Sequence, residues 1–177
     1  MNYLLQNIDY IGEYGPFLLY IISFILLWNK KSMLFYYNIG IFLNIILNLV
    51  LKGIFQQPRP LDNKKQFNIM LKHAKHSIFK DDGIPFNIFG MPSGHIQMCS
   101  FSLVFIYLIL KNMKIFFLYL IISLITFYQM YHNLYHSLSQ LIVGALCGSL
   151  LGYVMFYFSR EKLKGKIKEK PDDYGPL

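Results

Sequence analysis

Three short polar clusters in this 177-residue chain have the residue types and spacing for chemistry on an anion. The first is Lys52, then six residues, then Arg59-Pro60; the second is Pro92-Ser93-Gly94-His95; the third pairs His136 with Gln140. Lys and Arg bring fixed positive charge, and a guanidinium can grip two phosphate oxygens at once. A proline, a serine and a glycine ahead of an apolar run mark a helix start, whose outward N–H groups and dipole favour anions. His95 then falls in the first turn, placed to give a proton to a leaving oxygen, while a second histidine can attack phosphorus. On a helix His136 and Gln140 share a face, so the Gln140 amide can accept from one ring nitrogen and leave the other free.

The elements that must position these groups are membrane spans. The chain is 55% hydrophobic and only 15% charged, with a mean hydropathy of +0.39, whereas a soluble domain is about one quarter charged. Disordered and ordinary soluble classes are excluded, and the length suits one domain. A crossing needs about 20 mostly apolar residues. Stretches of that kind run from Ile11 to Trp28, Met33 to Phe55 and His95 to Leu110, and an uncharged run from Ile115 to Ser159 is long enough for two. That run must turn near Tyr131 to Tyr135, where Gln129, His132, Asn133, His136, Ser137, Ser139 and Gln140 gather, because unpaired polar groups are costly in lipid. The expected fold is an all-α integral membrane bundle of about five transmembrane helices over residues 1–158, followed by a basic cytoplasmic tail over residues 159–177. The amino-terminal segment has no Lys or Arg ahead of its apolar run, which predicts a retained anchor rather than a cleaved signal.

Five spans put all three polar clusters on one membrane face, a coincidence that hydropathy does not require. The side of the tail carries Lys30, Lys31, Lys111, Lys114 and six basic residues from Arg160 to Lys170, ten of the 17 Lys+Arg. Short basic links face the cytoplasm, so the three clusters are expected to face the lumen or the exterior. The loop from Gln56 to Met91 is too long for a plain connection. Phe67, Met70, Leu71, Ala74 and Ile78 recur in it at helical spacing, which predicts a short interfacial helix over residues 66–79 that could act as a lid.

Taken in order, the clusters resemble the motifs of the type 2 phosphatidic acid phosphatase superfamily: Lys, six residues, Arg-Pro; then Pro-Ser-Gly-His; then Ser-Arg, five residues, His, three residues, Asp. Lys52 to Pro60 and Pro92 to His95 fit the first two parts completely. The resemblance implies a metal-independent hydrolase without cofactor, with His136 the nucleophile, His95 the general acid, Lys52, Arg59, Ser93 and Gly94 the phosphate cradle, and Gln140 orienting His136. In the third part Gln129 stands at the Ser position, Met130 at the Arg position and Gln140 at the Asp position. Met130 removes one expected phosphate donor, which makes a catalytically silent lipid-phosphate-binding protein the alternative, and His132, one turn before His136, is a candidate replacement. Residues 90–97 and 135–140 are most similar to the dolichyl diphosphatase branch. That similarity implies a lipid phosphate or polyprenyl diphosphate as substrate and the endoplasmic reticulum as location.

Other readings of these residues are weaker. Lys52 and Arg59 could be snorkelling anchors, and His132 with His136 could bind zinc, but no Asp or Glu lies near that pair in sequence. Gly144, Gly148 and Gly152 recur every four residues and predict close helix packing, within the bundle or in a homo-oligomer. The aromatic residues suit lipid and interface, and the positive charge makes no case for nucleic acid.

Overall fold

A computed structural model describes residues 3–60, 80–81 and 84–163. Five helices follow one another: α1 (Tyr3–Leu26), α2 (Lys31–Phe55), α3 (Gly94–Leu110), α4 (Met113–His132) and α5 (Leu138–Leu163). Three stretches, Lys31–Phe55, Met113–His132 and Leu138–Arg160, are long and apolar enough to cross a membrane, and Tyr10–Leu26 and Gly94–Leu110 are shorter apolar helices. The fold is an all-α membrane bundle, as the hydropathy predicts. Two boundaries move: α1 starts well before Ile11, and α5 continues past Ser159 to Leu163. The interfacial helix expected over residues 66–79 and most of the basic tail lie outside the described residues. Before α3 the loop contributes a two-residue antiparallel pairing of Lys80–Asp81 with Ile84–Pro85 and a 3₁₀ turn over Phe86–Ile88.

The helix ends follow local chemistry. Asn112 caps α4, its side-chain oxygen accepting from the N–H groups of Lys114 at 2.9 Å and Ile115 at 3.3 Å, which satisfies two donors a helix start leaves open. Gln56 and Lys111 close α2 and α3 in the left-handed region, each N–H returning to a carbonyl four residues back, Lys52 and Tyr107.

The core near the short links is aromatic. Tyr37 of α2 stacks on Phe101 and leans on Phe105 of α3, at 5.6 Å in each case, and its hydroxyl meets Ser102 Oγ at 2.8 Å. The glycine stripe of α5 is used inside the bundle. A Cβ on Gly144, Gly148 or Gly152 would sit within 3 Å of the carbonyl oxygen of Ser93, Gln97 or Phe101 respectively. Three positions four residues apart on α5 thus match three that run from the N-cap into α3, and the two backbones approach as small residues allow.

Candidate active site

The open ends of α2, α3 and α5 converge on the turn between α4 and α5, and the three polar clusters meet there. Lys52 lies in the last turn of α2, is 4% exposed, and donates from Nζ to the Phe89 carbonyl. Arg59 follows in the loop and bridges two segments that are distant in sequence. It donates from Nε to Ile88 O at 3.2 Å and from one terminal nitrogen to Asn87 O at 3.5 Å, while the other nitrogen reaches Tyr135 O and His136 Nε2, both at 3.2 Å. Burial lowers the Arg59 pKa to about 10, which leaves the guanidinium charged at neutral pH.

His136 is buried, held by a turn that the sequence does not advertise. Leu134 adopts a left-handed φ of 55°, a conformation unfavourable for a branched residue. The turn is closed by the N–H groups of Tyr135 and His136, which both donate to the Met130 carbonyl, at 3.1 and 3.2 Å.

The Gln140 amide fixes which nitrogen of His136 is free. Its Nε2 donates to Pro58 O at 2.8 Å and to Gln57 Oε1 at 3.3 Å, and its Oε1 accepts from the Ser137 N–H at 3.1 Å. With the amide oriented by those bonds, Oε1 can act on His136 Nδ1, 3.3 Å away, only as an acceptor. Nδ1 therefore carries the proton, and the Nε2 lone pair faces Arg59. Burial first, then the charges of Arg59, Lys52 and His95, push the His136 pKa well below the usual imidazole value, against a smaller opposing effect of Gln140. The ring is thereby held neutral, with a lone pair on Nε2.

Ser93 stands at the N-cap of α3, but its side chain caps nothing. Its N–H donates to Gln140 O at 3.0 Å, which ties the second cluster to the third, and its Oγ is fully buried with no hydrogen-bond partner. Gly94 opens the helix where a Cβ would crowd Asn48 Oδ1, at 3.2 Å. His95 is half-buried and lines a cleft between α1, α2 and α3.

Three residues to which the sequence assigned no role, Asn44, Asn48 and Gln97, hold this arrangement. Gln97 is fully buried; its Nε2 donates to Asn44 O at 3.2 Å and Asn44 Oδ1 at 2.8 Å, and its Oε1 accepts from Asn48 Nδ2 at 2.8 Å. Asn48 Nδ2 also donates to Pro92 O at 3.2 Å. An amide network thus locks α2 to the turn before α3. The available signal was two amides four residues apart inside an apolar span, since polar side chains at membrane depth face partners.

Two third-motif residues do not join the cluster. Met130 is buried in an apolar group with Ile96 and Leu141. His132, the candidate replacement donor, is exposed and stacks on Tyr128 at 5.3 Å, so in this structure its ring faces away from the place it would have to serve. The reason is helical phase: His132 ends α4 on an outer face, and the turn then reverses the chain before His136.

Lys52, Arg59, Ser93, His136 and Gln140 thus gather at one end of a helical membrane bundle, with His95 on the adjoining cleft. A family model described as PAP2 superfamily matches residues 33–164, well over half of the chain, and the chain belongs to that superfamily, whose members are phosphatases. No curated protein and no solved structure matches it.

Proposed function

We propose that the protein hydrolyses a lipid-borne phosphate or a polyprenyl diphosphate, in the manner of dolichyl diphosphatases, through a phosphohistidine on His136. The observation that carries the proposal is the tautomer of His136, with Nδ1–H held by Gln140 and the Nε2 lone pair turned toward Arg59. Substrate phosphate takes the place of the contacts that Arg59 and Lys52 make in the resting site, and its oxygens also meet Ser93 Oγ and the open N–H groups at Gly94 and His95. The Nε2 lone pair of His136 forms the N–P bond, the bond from phosphorus to the leaving oxygen breaks, and His95 gives that oxygen its proton. Water then attacks phosphorus and passes a proton to His95; the N–P bond breaks, inorganic phosphate leaves, and both histidines return to their starting states. No step calls on a metal. The same reading places residues 1–158 as the catalytic membrane domain, residues 159–177 as a cytoplasmic tail, and the site on the lumenal or outer face, with the endoplasmic reticulum as the expected location.

The test is phosphate release by purified protein in EDTA from farnesyl diphosphate, a polyprenyl diphosphate and phosphatidic acid, beside His136→Ala. Release by the wild type and none by the variant is expected, with an acid-labile phosphate on the wild-type protein after rapid quenching. Release no greater than that of the variant on all three lipids overturns the enzyme. Retained lipid-phosphate binding would then favour the silent binder, the reading to which the apolar burial of Met130 lends weight.

A further inference from the structure

A cleft of about 310 Å³ opens beside His95, lined by Pro16 of α1, Ile45 and Leu49 of α2, and Met98 of α3, with Asn48 beside Gly94 and Asn44 against Met98. Its origin is visible in how α1 and α2 meet. They touch through the Tyr20 hydroxyl on Asn38 Oδ1 at 3.1 Å and through stacking of Tyr20 on Tyr37. From there α1 runs back to Pro16 and α2 runs forward to Asn44, and the cleft lies between them and α3 at the end where the site is. Ile45, 47% exposed, forms its rim on the outer face of the bundle.

We infer that this cleft receives the hydrocarbon chain of the leaving group, and that Ile45, Leu49 and Met98 select substrates by that chain. The inference rests on the hydrolytic reading and extends it. Displacement at phosphorus sets the attacking and leaving atoms roughly in line, so the leaving group emerges opposite His136. His95 protonates the leaving oxygen, and His95 with Gly94 is shared between the phosphate cradle and the cleft. Whatever hangs from that oxygen enters a space walled mostly by Pro16, Ile45, Leu49 and Met98, where the Asn44 amide is already bonded to Met98 and Gln97. The volume holds on the order of ten methylene groups, if each fills the ~30 Å³ of a liquid water. A longer chain leaves past Ile45 into the bilayer, so a lipid can be held without being withdrawn from the membrane.

The experiment compares dodecyl phosphate with butyl phosphate on full-length protein carrying Leu49→Trp or Ile45→Trp, each of which fills the cleft. KM for dodecyl phosphate should rise about tenfold, with butyl phosphate changed by less than about twofold, the pattern of a lost binding contact remote from the chemistry. Equal losses on both substrates, or no change on dodecyl phosphate in either variant, overturn the inference. A second arm needs neither turnover nor a folded variant: wild-type protein is irradiated with a diazirine-bearing dodecyl phosphate, with and without excess dodecyl phosphate. Competed label on residues 44–49 and Met98 supports the cleft, and label elsewhere overturns it. If the wild type releases no phosphate from any substrate while the label still falls in the cleft, the hydrolytic reading fails and the chain site stands.

Discussion

The two ends of this bundle are built on opposite principles. At the end of the short links, α1, α2 and α3 pack Leu19, Leu27, Met33, Tyr37, Phe101 and Phe105, all nearly inaccessible, and most of the polar groups there are hydroxyls already paired, Tyr37 with Ser102 and Ser23 with Tyr119. At the other end the buried residues include Lys52, Ser93, Gln97, His136 and Gln140 beside a small apolar group of Ile96, Met130 and Leu141, and the helices are joined mainly by charged and amide hydrogen bonds. In lipid there is no water to expel between helices, so the first end gains from dispersion and close fit alone. The second end gains from bonds that are expensive to leave unmade. The contrast teaches that rigidity at the site comes from polar bonding, and that the apolar end is the more tolerant foundation.

The comparison can be broken or sharpened by substitution, and the largest effect belongs to His136→Ala. Phosphate release should fall about a thousandfold or more, while the apolar end keeps thermal unfolding in detergent close to that of the wild type. Gln97→Leu comes next. It leaves the buried Asn44 Oδ1 without its donor and removes the Gln97 acceptor of Asn48, and should cost about 2 to 3 kcal/mol of stability, read as a lower midpoint of unfolding, with reduced turnover because Asn48, which holds Pro92 O, is then less firmly placed. Phe101→Ala, at the other end, should cost about 2 kcal/mol through lost contacts and leave turnover per folded molecule unchanged. A loss of turnover comparable to that of Gln97→Leu would erase the distinction between the two ends.

The glycine stripe tests both ends with the same change at two positions. Gly144→Ala would place a Cβ 2.6 Å from Ser93 O, and Gly152→Ala would place one 2.8 Å from Phe101 O. Both should destabilise by about 1 to 3 kcal/mol as overpacked contacts do, but Gly144→Ala should also raise KM for the phosphate substrate, because it moves the start of α3. Equal KM values would show that the α3 start is not held by α5.

The smallest effect is on pH. His136 is neutral in the fold and its pKa is depressed, whereas in the unfolded chain it titrates near 6.5. The unfolded state therefore binds the extra proton first, and stability falls as the pH drops below about 6.5, by at most ~1.4 kcal/mol per unit for this one group. Above that range the group contributes no slope. Unfolding midpoints measured between neutral and acid pH on wild type and His136→Asn should differ in slope on the acid side alone, and parallel curves would mean that the buried ring is not neutral.

Much of the bundle was legible in residue order. Hydropathy placed α2 and α3 to within two residues, and the polar knot between Gln129 and Gln140 located the turn between α4 and α5, because a long uncharged run must reverse where its polar groups can leave lipid. The stripe of Gly144, Gly148 and Gly152 announced a close contact without naming its partner, which is α3. His132 illustrates the limit: sequence spacing puts it one turn from His136, yet the end of α4 and the left-handed Leu134 send the two rings apart. Asn44, Asn48 and Gln97 were visible as amides in apolar spans, but their mutual bonding joins residues about 50 positions apart, and helical periodicity carries no information at that range.

Length and apolar runs determined that this is a helical membrane protein, and three ordered motifs that its polar clusters gather at one end, since lipid admits only helices with satisfied backbones and charge there needs a purpose. Tertiary structure alone decided how that cluster is wired. The Gln140 amide could have pointed either way until Pro58 and Gln57 accepted from its nitrogen and the Ser137 N–H bonded to its oxygen, and that choice settles which nitrogen of His136 carries the proton.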